Sequence, residues 1–190
     1  MDALSRRARF EREVLPHLDA AYNLARWLLR NDQDAEDVTQ DSMLRAYRFF
    51  DGFRGANAKA WLLTIVRNAS YSWLARKRPT LAAVGADVSP RLDEPDALET
   101  VATEETPESL LAVKTELAWL QDSLDDMPTE YREVLVLREL EGLSYKEIAA
   151  IVSIPIGTVM SRLARARERL RDRLFASDRD LRGGDAEARA

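Results

Sequence analysis

The chain contains no cysteine and a single histidine, His17, among 190 residues. The first absence removes disulfides, thiol nucleophiles, iron–sulfur clusters and cysteine-ligated zinc together. The second leaves no histidine-based metal site and no HExxH motif. Glycine and proline number seven each, too few for a collagenous or low-complexity chain. No glycine sits in a GxGxxG or GxxxxGK phosphate loop. No apolar run approaches the roughly 18–20 residues of a membrane span. The arginine-rich start (Arg6, Arg7, Arg9) is not followed by the apolar stretch of an export signal. The acidic group Asp32, Asp34, Glu36, Asp37 fails as a calcium loop, because Asp37 and Met43 stand where glycine and glutamate are required. The expectation is a cytoplasmic protein that is not an enzyme, with no cofactor, no metal and no membrane insertion.

What is present is charge and helical periodicity. The chain is 46% hydrophobic and 32% charged, which suits a globular protein. Residues 1–78 carry 14 Lys/Arg against 10 Asp/Glu, whereas 79–112 carry one against eight. That acidic block also holds Pro79, Pro90, Pro95 and Pro107 and has little apolar periodicity, so 79–106 is expected to be an extended linker. On either side the apolar spacing is helical: Leu18, Ala21, Tyr22, Ala25, Leu28 and Leu29, then Leu62, Ile65, Val66, Ala69 and Trp73. Beyond the linker come Leu110, Leu111, Leu117, Leu120 and Leu124, then Val134, Leu135 and Leu137. Thr106-Pro107 and Pro128-Thr129 read as helix starts, and Ser144 with Glu147 has capping-box spacing. No strand alternation or hairpin dipeptide occurs. The expected fold is all-α: two small helical domains joined by an acidic flexible linker, spanning 1–78 and 107–174, with 175–190 a disordered tail.

Residues 145–166 have the offsets of a helix-turn-helix. Ala149 is the small residue at the helix contact, Ser153 the turn and Val159 the apolar anchor, with Ile148, Val152 and Ile154 around them. Ser153 stands where glycine is common, and Pro155 separates the helices. Val159, Leu163, Ala166 and Leu170 share one face of the second helix. Thr158, Ser161, Arg162, Arg165 and Arg169 lie mainly on the other, the arrangement a recognition helix needs in a major groove. Six arginines against two acids make 158–173 the most basic run in the chain. A solvated arginine face on an ordinary hairpin is the plainer alternative, and the turn offsets favour DNA.

Two further surfaces stand out. Asp34, Asp37, Asp41, Arg45 and Arg48 line one polar helix face with Gln40 beside them, which on spacing alone is more often a solvated face than a partner surface. The helix over about 57–77 mixes Lys59, Trp61, Arg67, Asn68, Tyr71, Ser72 and Trp73 with a basic end, Arg76-Lys77-Arg78. Aromatics among cations and amides suit unstacked bases, although Trp73 reads better as core.

Taken in order, these segments resemble a sigma-70 family RNA polymerase sigma factor of the extracytoplasmic-function (ECF) group. The resemblance rests on 34–41 (DAEDVTQD), 44–47 (LRAY), 60–68 (AWLLTIVRN), Met127-Pro128 with Tyr131-Arg132, 143–149 (LSYKEIA) and 157–167 (GTVMSRLARAR), and spans about residues 10–174. It implies an alternative sigma factor that binds core RNA polymerase, directs it to promoters and helps melt the −10 region. By resemblance, Asp37, Gln40, Asp41 and Arg45 would dock on the β′ clamp helices, and the second domain would meet the β flap. Lys59, Trp61, Asn68 and Ser72 would take the melted −10 strand. Thr158, Ser161, Arg162 and Arg165 would read the −35 duplex. An anti-sigma factor is a further implied partner, and the large N-terminal extension and third helical domain of housekeeping relatives are not expected. The competing reading is a stand-alone helix-turn-helix regulator, which would need a dimer helix or ligand pocket that the sequence does not offer; an adaptor with surface arginines is a second. A net charge of −5 predicts weak DNA binding by the free chain and rescue by core polymerase.

Overall fold

The structure, a computed structural model, describes residues 3–55, 57–84, 124 and 126–187. Its first unit comprises α1 (Ala3–Glu13), a 3-10 turn (Leu15–His17), α2 (Leu18–Leu29), α3 (Asp32–Phe49), a second 3-10 turn (Phe50–Gly52) and α4 (Ala58–Val84). Its second comprises α5 (Thr129–Leu135), a π-helical turn (Val136–Leu140), α6 (Tyr145–Val152) and α7 (Ile156–Glu187). All regular structure among the described residues is helical, and no single helix there is long and apolar enough to cross a membrane.

Local chemistry sets the break between α2 and α3. Arg30 adopts the left-handed conformation (φ 58°) and its N–H bonds the Arg26 carbonyl, closing α2. Asn31 follows in extended backbone, and its side-chain oxygen accepts from the Asp34 N–H at 2.8 Å, so α3 begins capped. The acidic group that fails as a calcium loop forms the first turns of α3, where carboxylates complement the helix dipole. Arg26 pairs with Asp32 at 2.8 Å and Lys77 with Asp34 at 2.6 Å, tying α2 and α4 to this end of α3. Leu24, Leu28, Leu62, Leu63 and Val66 fill the core among α2, α3 and α4. Phe10, Phe50, Phe53 and Trp61 form a connected aromatic cluster at its other end.

In the second unit the capping box is complete. Ser144 Oγ accepts from the Glu147 N–H, while the Ser144 N–H donates to Glu147 Oε2 at 2.8 Å. Ser153 ends α6 at φ 58°, ψ 45°, and the Pro155 carbonyl accepts from Thr158 and Val159 to start α7. Val159, Leu163 and Ala166 are buried against Ile148, Ile151 and Val152, so the expected apolar face is the one that packs.

Two boundaries differ from expectation. The linker was expected from residue 79, yet α4 continues through Pro79 to Val84. A proline forfeits one backbone hydrogen bond, but extending a formed helix carries no new nucleation cost, and Leu81-Ala82-Ala83 are good helix formers. Similarly, 175–187 of the expected disordered tail belongs to α7, where alanine, leucine, arginine and glutamate favour propagation across Gly183-Gly184. The rest of the linker (85–106), the Thr106-Pro107 start and Leu110 to Leu120 lie outside the described residues.

The two units touch. α4 packs against α6, and α2 packs against α5.

Candidate nucleic-acid and partner surfaces

Helical phase places the first candidate surface on α3. Ala35, Val38, Thr39, Ser42 and Ala46 are buried, which turns Asp37, Gln40, Asp41 and Arg45 outward together. Arg45 pairs with Asp41 at 2.8 Å, one helical turn away. Leu44 (68% exposed) and Phe49 (63%) stand beyond this polar face, an exposure that favours a partner over a merely solvated helix. Asp37, Asp41 and Arg45 also line a cleft of about 290 Å³ between α3 and α4, closed on the other side by Ala69, Trp73 and Arg76. Trp73 packs partly against the core, as expected, with Arg76 and Lys77 over its ring.

The four α4 candidates do not form one open patch. Asn68 and Ser72 are exposed one turn apart, with the Ser72 hydroxyl donating to the Asn68 carbonyl at 2.8 Å. Trp61 is half-buried, its ring 4.8 Å from that of Phe53. Lys59 faces the second unit: its ammonium donates to the Glu141 carbonyl at 2.8 Å and pairs with the Glu141 carboxylate at the same distance. Sequence reasoning missed this contact face altogether. Arg67 Nε lies 2.6 Å from Glu133 Oε1, the Tyr71 hydroxyl donates to Glu133 Oε2 at 3.3 Å, and the Asn57 amide donates to Glu147. Burial lifts the Glu133 carboxyl above the ordinary carboxylate range, against the pull of Arg67, Tyr71 and Arg162. Burial, reinforced by Glu133, pushes the Tyr71 phenol up to about 12, so it stays a hydrogen-bond donor. No periodicity signals Glu133, because a charged residue in an amphipathic pattern reads as exposed.

On α7, Ser161 and Arg165 are exposed while Thr158 and Arg162 are half-buried. Arg165 donates to the Tyr131 hydroxyl at 3.3 Å and Arg169 lies over the Tyr131 ring, so α5 orients two of the basic side chains. Arg167 pairs with Glu139 at 2.6 Å. Arg162 lies near enough to Glu133 and Tyr71 to favour the charged form of both electrostatically, as the smallest of the influences on each.

Comparison with known families matches these two units separately. Residues 14–80 match sigma-70 region 2, and residues 117–170 match sigma-70 region 4. The ECF RNA polymerase sigma-E factor of Escherichia coli is 37% identical over 138 residues, covering 71% of each chain. The chain belongs to the sigma-70 family, in its ECF group. ECF sigma factors direct RNA polymerase to promoters and are not enzymes. SigE of Mycolicibacterium smegmatis is 35% identical over 162 residues, which cover 85% of this sigma factor and 60% of SigE. Among solved structures, RpoE from Bartonella quintana, bound to the anti-sigma factor NepR, aligns over 88% of this chain and 97% of its own with a TM-score of 0.70 and 32% identity. CnrH, bound to the cytosolic domain of CnrY, aligns over 90% of both chains with a TM-score of 0.62 and 27% identity. Region 4 of this ECF factor is the unit with the helix-turn-helix, and region 2 holds α3 and α4.

Proposed function

We propose that the chain works in the cytoplasm as an alternative sigma factor whose three surfaces are used in sequence. The outward face of α3, with Asp37, Gln40, Asp41 and Arg45, binds the β′ clamp helices of core RNA polymerase, while the second unit engages the β flap. Asn68, Ser72, Trp61 and Lys59 on α4 then hold the melted −10 strand: amide and hydroxyl take base edges, Trp61 offers a ring at the mouth of the aromatic cluster, and Lys59 takes a phosphate. Thr158, Ser161, Arg162 and Arg165 on α7 read the −35 element as duplex, with arginine suited to guanine and hydroxyls to bases or phosphates.

The observation that carries this reading is the α3 face, four polar side chains exposed together beside the bare Leu44 and Phe49 on the region 2 unit. A stand-alone regulator would leave that surface without a purpose. The likeness to RpoE and CnrH, each solved with a partner, supports an anti-sigma factor as a second partner of this chain.

Run-off transcription with purified core polymerase and a promoter library tests the proposal. Specific transcripts are expected only when the chain is added, and Asp41→Lys abolishes them. Transcription unchanged by the chain refutes it.

A further inference from the structure

Among the described residues of region 4, three large apolar side chains are exposed: Leu140, Ile156 and Met160. Two of them lie one turn apart on α7, Ile156 at 46% and Met160 at 53%, and the exposed Ala164 extends their line by another turn. The core does not need this line, since Val159, Leu163 and Ala166 already fill the face of α7 that packs on α5 and α6. Nor does it stand in an apolar region. Ser161 and Arg165, both exposed, run beside it, and the exposed Arg167 and Arg171 continue it toward the end of the helix. Ala164 borders a shallow hollow with Arg165, Arg167, Glu168 and Arg171. Gly157 lies on the same side of α7. It has no positive φ, and a Cβ added there would meet nothing within 4 Å. The fold therefore gains nothing from this glycine, which lowers helix propensity, whereas a surface that another molecule must approach closely does gain.

We propose that Met160 is a specificity-determining residue for the −35 duplex: its side chain, continued by Ala164, packs on the C5 methyl group of a thymine. The inference rests on the reading of α7 as the −35 helix and adds a base class to it. A major groove offers both things this surface is built for. Its phosphates suit the guanidinium groups around the line, and the thymine methyl is the apolar group on its floor. An unbranched thioether adapts its shape to such a small target. Discrimination comes from the opposite case as well. A G·C pair at the same step would turn guanine O6 and N7, or the cytosine amino group, toward a side chain with no matching donor or acceptor, and burying those groups unpaired is costly. The helix thus reads bases in two ways, by hydrogen bonds from Ser161 and Arg165 and by apolar contact from Met160.

The test uses holoenzyme assembled from the full chain and core polymerase. A promoter library randomised over the −35 element is selected by binding and sequenced. The preferred duplex is then resynthesised with each −35 thymine, on either strand, replaced in turn by deoxyuridine, which removes the methyl group and keeps the pairing. One replacement is expected to weaken binding about four-fold, the worth of one buried methyl group. In Met160→Ala holoenzyme the same replacement has no effect, because the side chain that sensed the methyl is gone. Met160→Leu, apolar and of similar volume, keeps the penalty. Met160 is exposed, so neither variant disturbs the core. A selected −35 element with no methyl-sensitive thymine, or a penalty that persists in Met160→Ala, overturns the proposal. Loss of core polymerase binding by Met160→Ala without promoter also overturns it, because the apolar line would then be a protein contact. A selected pool with no −35 preference at all defeats the reading of α7 as the −35 helix, a result distinct from a −35 preference that ignores the methyl group.

Discussion

Arg67 of α4 and Glu133 of α5 meet at 2.6 Å although 66 residues separate them in the chain. The carboxylate is fully enclosed, whereas the guanidinium keeps 19% of its side chain exposed. Removing the cation therefore strands a buried charge, while neutralising the acid removes the charge and keeps an acceptor. Arg67→Ala is expected to cost about 3 kcal/mol at neutral pH, and Glu133→Gln less than about 1 kcal/mol. Urea unfolding of the full chain measures both, and equal losses would show that the pair is not buried in solution.

The same carboxyl gives the closed chain a pH signature. Burial raises its pKa above the ordinary 4.5, and the charged groups facing it, Arg67 and Arg162, do not reverse that; the Tyr71 phenol, at about 12, remains neutral. The closed form thus binds the proton more tightly than an open form with Glu133 in water. Closure is favoured most below pH 4.5 and loses stability as pH rises through the raised value. Glu133→Gln lacks this response, so its stability relative to the parent should grow over that rise and then level off. His17 works in the opposite sense: burial and Lys59 lower its pKa, so stability falls as pH drops below 6.5, equally in both chains. A difference between the two chains that does not vary with pH would contradict the assignment.

Ser153 pays for its place in the turn with a left-handed backbone at φ 58°. Ser153→Gly relieves that strain, and glycine's greater freedom in the unfolded chain offsets part of the gain. The net expectation is about 0.5–1 kcal/mol of added stability, seen as a melting temperature about 2 °C higher. The side chain is exposed, so duplex binding should not change.

Ser144→Ala removes the acceptor that caps α6 and should cost about 1 kcal/mol in the same unfolding experiment. Because α6 positions α7, the loss should also loosen the helix-turn-helix, visible as faster amide exchange at Ile148 and Ile151.

Arg165 is exposed and held by Tyr131 outside the seam between the units. Within the holoenzyme, Arg165→Ala is expected to weaken −35 binding by about 1–3 kcal/mol if it reads a base, with relaxed specificity at one position. A loss that is uniform across sequences, with the salt slope reduced by about one, would instead make it a phosphate contact.

Locally determined features were legible in the sequence. The acidic start of α3, the Ser144–Glu147 cap, the Ser153 turn and the buried face of Val159, Leu163 and Ala166 each depend on residues within a turn or two of each other. Helix ends were less so, since Pro79 and Gly183-Gly184 read as breakers while a helix already formed extends past them. The seam was illegible for a different reason. Lys59 and Glu141, like Arg67 and Glu133, are joined only by the tertiary arrangement, and each carboxylate taken singly belongs on a solvated face. The likeness to relatives gave the surfaces their proposed roles, but it gave no hint that one of the −10 candidates is covered by region 4.

Association with core polymerase tests the central claim most directly. The labelled full chain, titrated with core enzyme and followed by anisotropy, is expected to bind saturably, and Asp41→Lys on the exposed α3 face should weaken binding at least about ten-fold, or about 1.4 kcal/mol. Failure of the chain to bind, or equal binding by Asp41→Lys, would contradict the account.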